Sequence, residues 1–187
     1  MASAPVNKLL KDLFPNEKIE LCSDPSAPVP VPKANDQFLI AFESCDNSKA
    51  HNVRIVLFQQ STKGRKLIAS GLISDILTFA DHKLNEIVIE PRDTGINKES
   101  YVFTVRLQFK SLKAAASAEQ LIVIQQQGSQ IKSIANGPVE SSEGKAFLII
   151  TKTKSMGFSD IAIKSKNAIL PLRWNGTNYR KMTKEDL

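Results

Sequence analysis

At 187 residues, with 42% hydrophobic and 24% charged side chains, the chain fits one domain with its own core and does not read as disordered. Its apolar runs, such as Arg54–Phe58 and Leu121–Ile124, fall far short of the ~20 residues a spanning helix needs, so no membrane span is expected. The net charge of +6 invites a nucleic-acid partner, but the basic residues are scattered. The densest knots, Lys63-Gly64-Arg65-Lys66 and Arg180–Lys184, are short, and no aromatic side chains interleave with them to stack bases. Nucleic acid is therefore not the expected ligand.

In chain order, Val6, Leu9, Leu10, Leu13 and Phe14 form one apolar helical stripe, started by Pro5 and stopped by Pro15. The spacing predicts an amphipathic helix over 5–15 that docks on the rest of the domain. Residues 25–36 open with alternating prolines, which impose an extended path and deny a central-strand ladder. They read as a stiff connector across the surface. From Gln37 the pattern turns to strands, with a first β unit over 37–74 and a second over 101–140.

The two units resemble each other. Arg54–Gly71 aligns without a gap on Gln120–Gly137: each opens on an apolar run, continues with Gln-Gln and closes on Ile-Ala-x-Gly. Upstream, Phe38, Ile40 and Phe42 match Phe103, Val105 and Leu107 one residue out of step. This predicts an internal duplication of a three-stranded antiparallel meander. Between the units, 75–100 reads as an irregular connection. Leu72–Leu84 suits a short helix or turn, Glu86–Glu90 a strand and Arg92–Ser100 an outer polar loop. A looser third unit spans 145–182, with strands at Ala146–Ile150 and Asp160–Lys164 and a hairpin at Leu170–Tyr179. Asn175-Gly176 is its turn signal, and Trp174 and Tyr179 are placed to pair across it. The expected fold is mainly β, with an α+β alternative: an antiparallel meander of repeated units with a short N-terminal helix packed on it.

Catalytic patterns are missing. Of the two histidines, His51 lies in a polar loop and His82 follows Asp81, and no G-x-S-x-G elbow supplies a serine for a triad. Both read as solvated loop residues. No clustered ligand set suggests a metal, no Gly-rich loop a phosphate, and the scattered carboxylates lack aromatic sugar-stacking neighbours. Neither an enzyme nor a cofactor is expected. What remains is binding through the connections 44–52, 110–119 and 152–159, which a repeated sheet would present along one edge. Met156 and Phe158 are the candidate apolar anchors, with Phe158 alternatively tucked back into the core, and Lys152, Lys154, His51 and Lys113 are the candidate polar contacts.

Cys22 and Cys45 are spaced for neither a redox CxxC nor a zinc site. They are two buried thiols, or one disulfide tying the Pro-rich entry to the first sheet. Ala2-Ser3-Ala4 reads like the tail of a signal-peptidase site whose preceding leader has been removed, and this favours export and the disulfide.

Gly157-Phe158-Ser159-Asp160-Ile161, followed by Trp174-Asn175-Gly176-Thr177-Asn178-Tyr179, resembles the end of small exported bacterial β-rich proteins with a G-x-x-D strand and a W-x-G-x-x-Y hairpin. The resemblance covers the C-terminal part of the chain and, loosely, 101–137. It implies a periplasmic or secreted protein. The expected function is non-catalytic binding of another protein, as an immunity protein or an inhibitor of a toxin or cell-wall hydrolase. The alternative is an envelope-associated domain that binds peptidoglycan or another anionic polymer.

Overall fold

A computed structural model describes residues 4–32, 34–45, 51–73, 76, 81–92, 102–113, 117–141, 146–165 and 168–186. Among these residues one helix, α1 (Ala4–Leu13), precedes twelve strands, and a 3-10 turn (Lys184–Asp186) follows them. The strands are β1 (Val29–Val31), β2 (Ala34–Glu43), β3 (Val53–Ser61), β4 (Gly64–Leu72), β5 (His82–Arg92) and β6 (Val102–Ser111). They continue as β7 (Ser117–Gln127), β8 (Gln130–Ser141), β9 (Phe147–Ser155), β10 (Phe158–Lys164), β11 (Ile169–Trp174) and β12 (Tyr179–Lys181). The fold is mainly β, as the strand patterning predicts.

Eight strands form one sheet in the order β1-β2-β3-β4-β8-β7-β6-β5. Its ends return on each other, β5 packing against β1 and β2, so the sheet nearly closes around an interior of Leu39, Ile55, Leu57, Val105, Leu107 and Ile122 among others. The remaining four strands make a second sheet, β12-β11-β10-β9. The outer wall is also covered. Leu9, Leu10 and Leu13 of α1, with Phe14 just after it, lie on Ile40, Phe42, Val56 and Phe58, while Ile161, Ile163, Leu172 and Trp174 of the second sheet lie on Leu121, Val123 and Ile134. Strands β3 and β7 are thus buried on both faces, which is why they read as continuous apolar runs rather than alternating ones.

The two aligned segments form hairpins that can be compared directly. The hairpins β3–β4 and β7–β8 share a register: Ser61 faces Gly64 and Gln127 faces Gln130, and each shifts at the corresponding step, Leu57/Phe58 and Val123/Ile124. Yet matched residues face opposite ways. Val56 lies outside under α1 while its match Ile122 lies inside, and Ala69 is inside while Ala135 is outside. The strand order reverses between the units and β4 runs parallel to β8 at Ser70–Gln130. Reversed order with unreversed direction requires one unit to be turned over about an axis along the strands, which exchanges inner and outer faces. An apolar run buried on both sides tolerates that exchange.

The closing glycines of the repeated Ile-Ala-x-Gly have separate reasons. A Cβ on Gly71 would sit 1.9 Å from the Ile131 carbonyl oxygen, where β4 crosses close to β8. A Cβ on Gly137 would meet the Leu121 carbonyl oxygen at 2.9 Å and the Ile163 side chain at 3.2 Å, where the second sheet presses on β8.

Several expectations are corrected. The Pro-rich stretch is more than a connector: Val29–Val31 adds an edge strand to β2, and Ser26 exchanges hydrogen bonds with the Ala41 backbone, 2.8 Å from its own N–H and 2.9 Å to its hydroxyl. An edge is where prolines can sit without breaking a ladder. The strand expected at Glu86–Glu90 begins earlier, at His82, and runs through Pro91. In the stretch read as a helix, Leu72 closes β4 and His82–Leu84 open β5; residues 74, 75 and 77–80, and the polar loop over 93–100, lie outside the described residues. The third unit forms its own sheet instead of extending the first.

Cys22 and Cys45 form a disulfide, Cα atoms 5.1 Å apart, that ties the chain leaving α1 to the end of β2. The Cys45 N–H donates to the Glu20 carbonyl at 2.7 Å and the Cys22 N–H to that of Glu43 at 3.1 Å. Reduction should raise the intact mass by about two hydrogens and lower stability by about 2–3 kcal/mol, through freedom restored to the unfolded loop. Thermal melts with and without reductant check this.

Candidate functional site

The β9–β10 hairpin carries four of the six residues singled out for binding. Met156 and Gly157 form its turn, with φ of 50° and 82°, the positive pair a type I′ turn requires. The segment 152–159 is therefore a tight hairpin end, not the long loop expected from sequence. The other turn also differs from expectation. Asn175 is not in the left-handed region, and 175–178 form a longer connection in which Asn175 Oδ1 accepts from the Thr177 and Asn178 N–H groups at 3.0 Å. Trp174 does pair with Tyr179 across it, edge-on with ring centroids 5.3 Å apart.

Within the hairpin the side chains divide. Met156 stands 77% exposed at the tip, and Lys152 and Lys154 are exposed on β9 with no acidic partner among the described residues. Phe158 instead turns inward and stacks on Trp174, centroids 4.1 Å apart and planes 14° from parallel. Phe158 belongs to the packing of the second sheet, so the exposed apolar anchor of this hairpin is Met156.

Behind the turn lies a buried polar cluster. Asp160 has no exposure; it accepts from the Ser155 hydroxyl at 2.9 Å and faces Arg173 Nε at 3.4 Å. Tyr179 donates its hydroxyl to the Ser159 carbonyl at 2.6 Å. Burial, and then the charge of Asp160, push the Tyr179 phenol well above its ordinary range, so it stays a neutral donor. Arg173 also reaches Asp186 at 3.2 Å, and Arg180 meets the same carboxylate at 2.6 and 2.8 Å, binding the terminal 3-10 turn to the sheet.

The hydrogen bond from Arg180, followed by that from the Thr183 N–H, holds the Asp186 carboxyl well below the usual carboxylate range. A depressed folded value means that Asp186 stabilises fully above the ordinary carboxylate value near ~4 and loses this as pH falls below it. The melting temperatures of wild type and Asp186→Asn should therefore differ at neutral pH and converge in that acid range. A gap that persists unchanged into acid contradicts the pairing.

The other two candidates sit elsewhere. His51 is not solvated: its Nδ1 pairs with Glu43 Oε1, and its ring lies 5.3 Å from that of Phe109 on β6. Lys113 is exposed but paired with Asp81 at 2.8 Å. The His51–Phe109 contact puts the 44–52 and 110–119 connections at one end of the large sheet; residues 46–50 and 114–116 of them lie outside the described residues. The third connection does not join them. Arg106 and Glu119 pair on the outer wall and grip the start of β9, Arg106 donating to the Ala146 carbonyl at 2.9 Å and the Ala146 N–H donating to Glu119 at 3.0 Å. From there β9 runs nine residues, roughly 30 Å, before reaching Met156.

Sequence reading missed the outer face of the second sheet. Cross-strand neighbours Ile149, Ala162 and Pro171 form one row there, and Phe147, Lys164 and Ile169 the next. Phe147, Ile149 and Ile169 are 56%, 40% and 60% exposed. Phe-Leu-Ile-Ile at 147–150 looks like any core strand, and only the sheet's position shows that alternate residues face out. Among the described residues no helix is long and apolar enough to cross a membrane, and no three His, Cys, Asp or Glu side chains gather as metal ligands.

No family model matches the chain, no curated protein matches its sequence, and no solved structure matches its fold.

Proposed function

We propose that this chain is a non-catalytic binding protein of an oxidising compartment, periplasmic or secreted, whose ligand is another protein. The observation that carries the reading is the β9–β10 hairpin. A tight turn on a packed sheet presents Met156 almost fully to solvent, beside two lysines without acidic partners among the described residues. An interface needs a rigid scaffold and a few anchors that become buried, with charge to steer an acidic partner. The disulfide between Cys22 and Cys45 supports the compartment. A toxin or cell-wall hydrolase held by an immunity or inhibitor protein is the partner class that the C-terminal resemblance suggests.

The net charge of +6 favours a second reading, attachment to an anionic envelope polymer. A photo-crosslinking residue placed at Met156 in exporting cells separates the two. Protein binding gives a discrete protein adduct even when irradiation follows a wash at about 0.5 M salt, where charges are screened beyond ~4 Å. A polymer smear that forms only when that wash is omitted before irradiation, or no adduct at all, overturns the protein-binding reading.

A further inference from the structure

Sheet edges are the places where a protein can add a strand from outside, and natural folds usually shorten, cover or charge them. Three of the four edges here are managed in that way. The ends of the large sheet, β1 and β5, turn against each other. In the small sheet β12 has only three residues, and the Arg180–Asp186 pair closes it off with the terminal turn. The fourth edge is β9, nine residues long, with β10 as its only strand partner among the described residues.

β9 has the composition of a strand that can pair again. Phe-Leu-Ile-Ile-Thr at 147–151 holds no charge and no proline, and its pairing with β10 keeps register from Phe147 to Ile150. In an antiparallel strand alternate residues direct N–H and C=O away from the existing neighbour, so this edge offers a row of donors and acceptors. Phe147 and Ile149 flank that row on the outer face, and Lys152 and Lys154 flank its second half.

We infer that β9 takes up an extended segment of a partner protein by antiparallel strand addition, acidic in the half that meets Lys152 and Lys154 and apolar in the half that meets Phe147 and Ile149. This rests on the protein-binding reading above and names the kind of segment recognised. Backbone hydrogen bonds supply affinity in this mode, and alternate side chains supply specificity. Charge selects this occupant over a second copy of the chain. β9 contains no acidic residue to face Lys152 and Lys154, and two copies at +6 repel.

The test is an NMR titration of the isotopically labelled full chain with a capped peptide, Thr-Glu-Thr-Glu-Thr-Thr-Val-Thr-Val. Written antiparallel, it sets its glutamates opposite 152 and 154 and its valines opposite 147 and 149. Saturable shifts confined to β9 amides, with added exchange protection there, are the expected result. Methylating alternate peptide nitrogens on the pairing side should weaken binding at least about tenfold, since it removes the ladder and leaves the side chains. The double variant Lys152→Glu, Lys154→Glu should reverse the preference to the peptide with Lys for Glu. Equal binding by the methylated peptide, or no shift along β9, overturns strand addition. So do β9 shifts that grow with protein concentration alone, which mark a second copy as occupant. If the peptide fails while the crosslink from Met156 to a protein persists, strand addition falls and protein binding stands; if both fail, the binding reading falls as well.

Discussion

Replacing Gly71 by Ala should destabilise the fold by about 4 kcal/mol or more, lowering the melting temperature by roughly 10 °C. The new methyl carbon would be placed 1.9 Å from the Ile131 carbonyl oxygen, and the obstacle is backbone, not the end of a side chain that can swing away. Relief requires β4 and β8 to part at the one seam joining the two halves of the eight-stranded sheet, where the Ser70 N–H donates to the Ser129 carbonyl at 3.2 Å. Gly137→Ala should cost less, because two of its three near neighbours are the tips of Ile163, which can shift. A Gly71→Ala protein that melts within about 2 °C of wild type would show that β4 and β8 do not meet as described.

Glu119→Ala is the second large effect, expected at about 3–5 kcal/mol. It leaves the Arg106 guanidinium buried without its carboxylate and deprives the Ala146 N–H of its acceptor. Because that cluster fixes the start of β9 to the wall of the large sheet, loss should first loosen the second sheet. The single tryptophan, Trp174, lies in that sheet's core. Its fluorescence should report a transition at lower denaturant than far-ultraviolet circular dichroism does, whereas Gly71→Ala should move both signals together. Coincident transitions in Glu119→Ala would mean that the second sheet is not independently anchored at Ala146.

The strands were legible because their signals are local. Val6 to Phe14 show the helix stripe, and the alternation at Phe38, Ile40 and Phe42 shows a strand. Which face those residues take is a tertiary matter. Phe38, Ile40 and Phe42 lie outside, under α1, while Phe103, Val105 and Leu107 line the interior, and the apolar pattern is the same for both. Near closure of the large sheet likewise depends on β5 meeting β1, a contact between distant strands that no window of sequence contains. The hairpin turn was misplaced because Asn175-Gly176 is the stronger propensity signal, yet the positive-φ pair falls at Met156-Gly157. Packing of Trp174 and Tyr179, with Asn175 Oδ1 capping the loop, decides the longer connection there.

The candidate site was legible in half. Met156, Lys152 and Lys154 come together as an exposed group, while Phe158 takes the alternative its sequence left open and tucks back into the core against Trp174. Lys113 looked free because Asp81 is far from it in sequence, and His51 because its partner Glu43 lies across a loop, on the preceding strand.

Affinity for the crosslinked partner, measured in parallel for wild type, Met156→Asp and Phe158→Ala, tests protein binding through the β9–β10 hairpin most directly. Met156→Asp should weaken binding by at least about 2 kcal/mol, some thirtyfold, with the melting temperature unchanged, because a charge replaces the exposed anchor. Phe158→Ala should lower the melting temperature through lost packing on Trp174 and leave the affinity of the folded fraction near wild type. Wild-type affinity in Met156→Asp, with the partner still bound, would contradict the hairpin as the binding site.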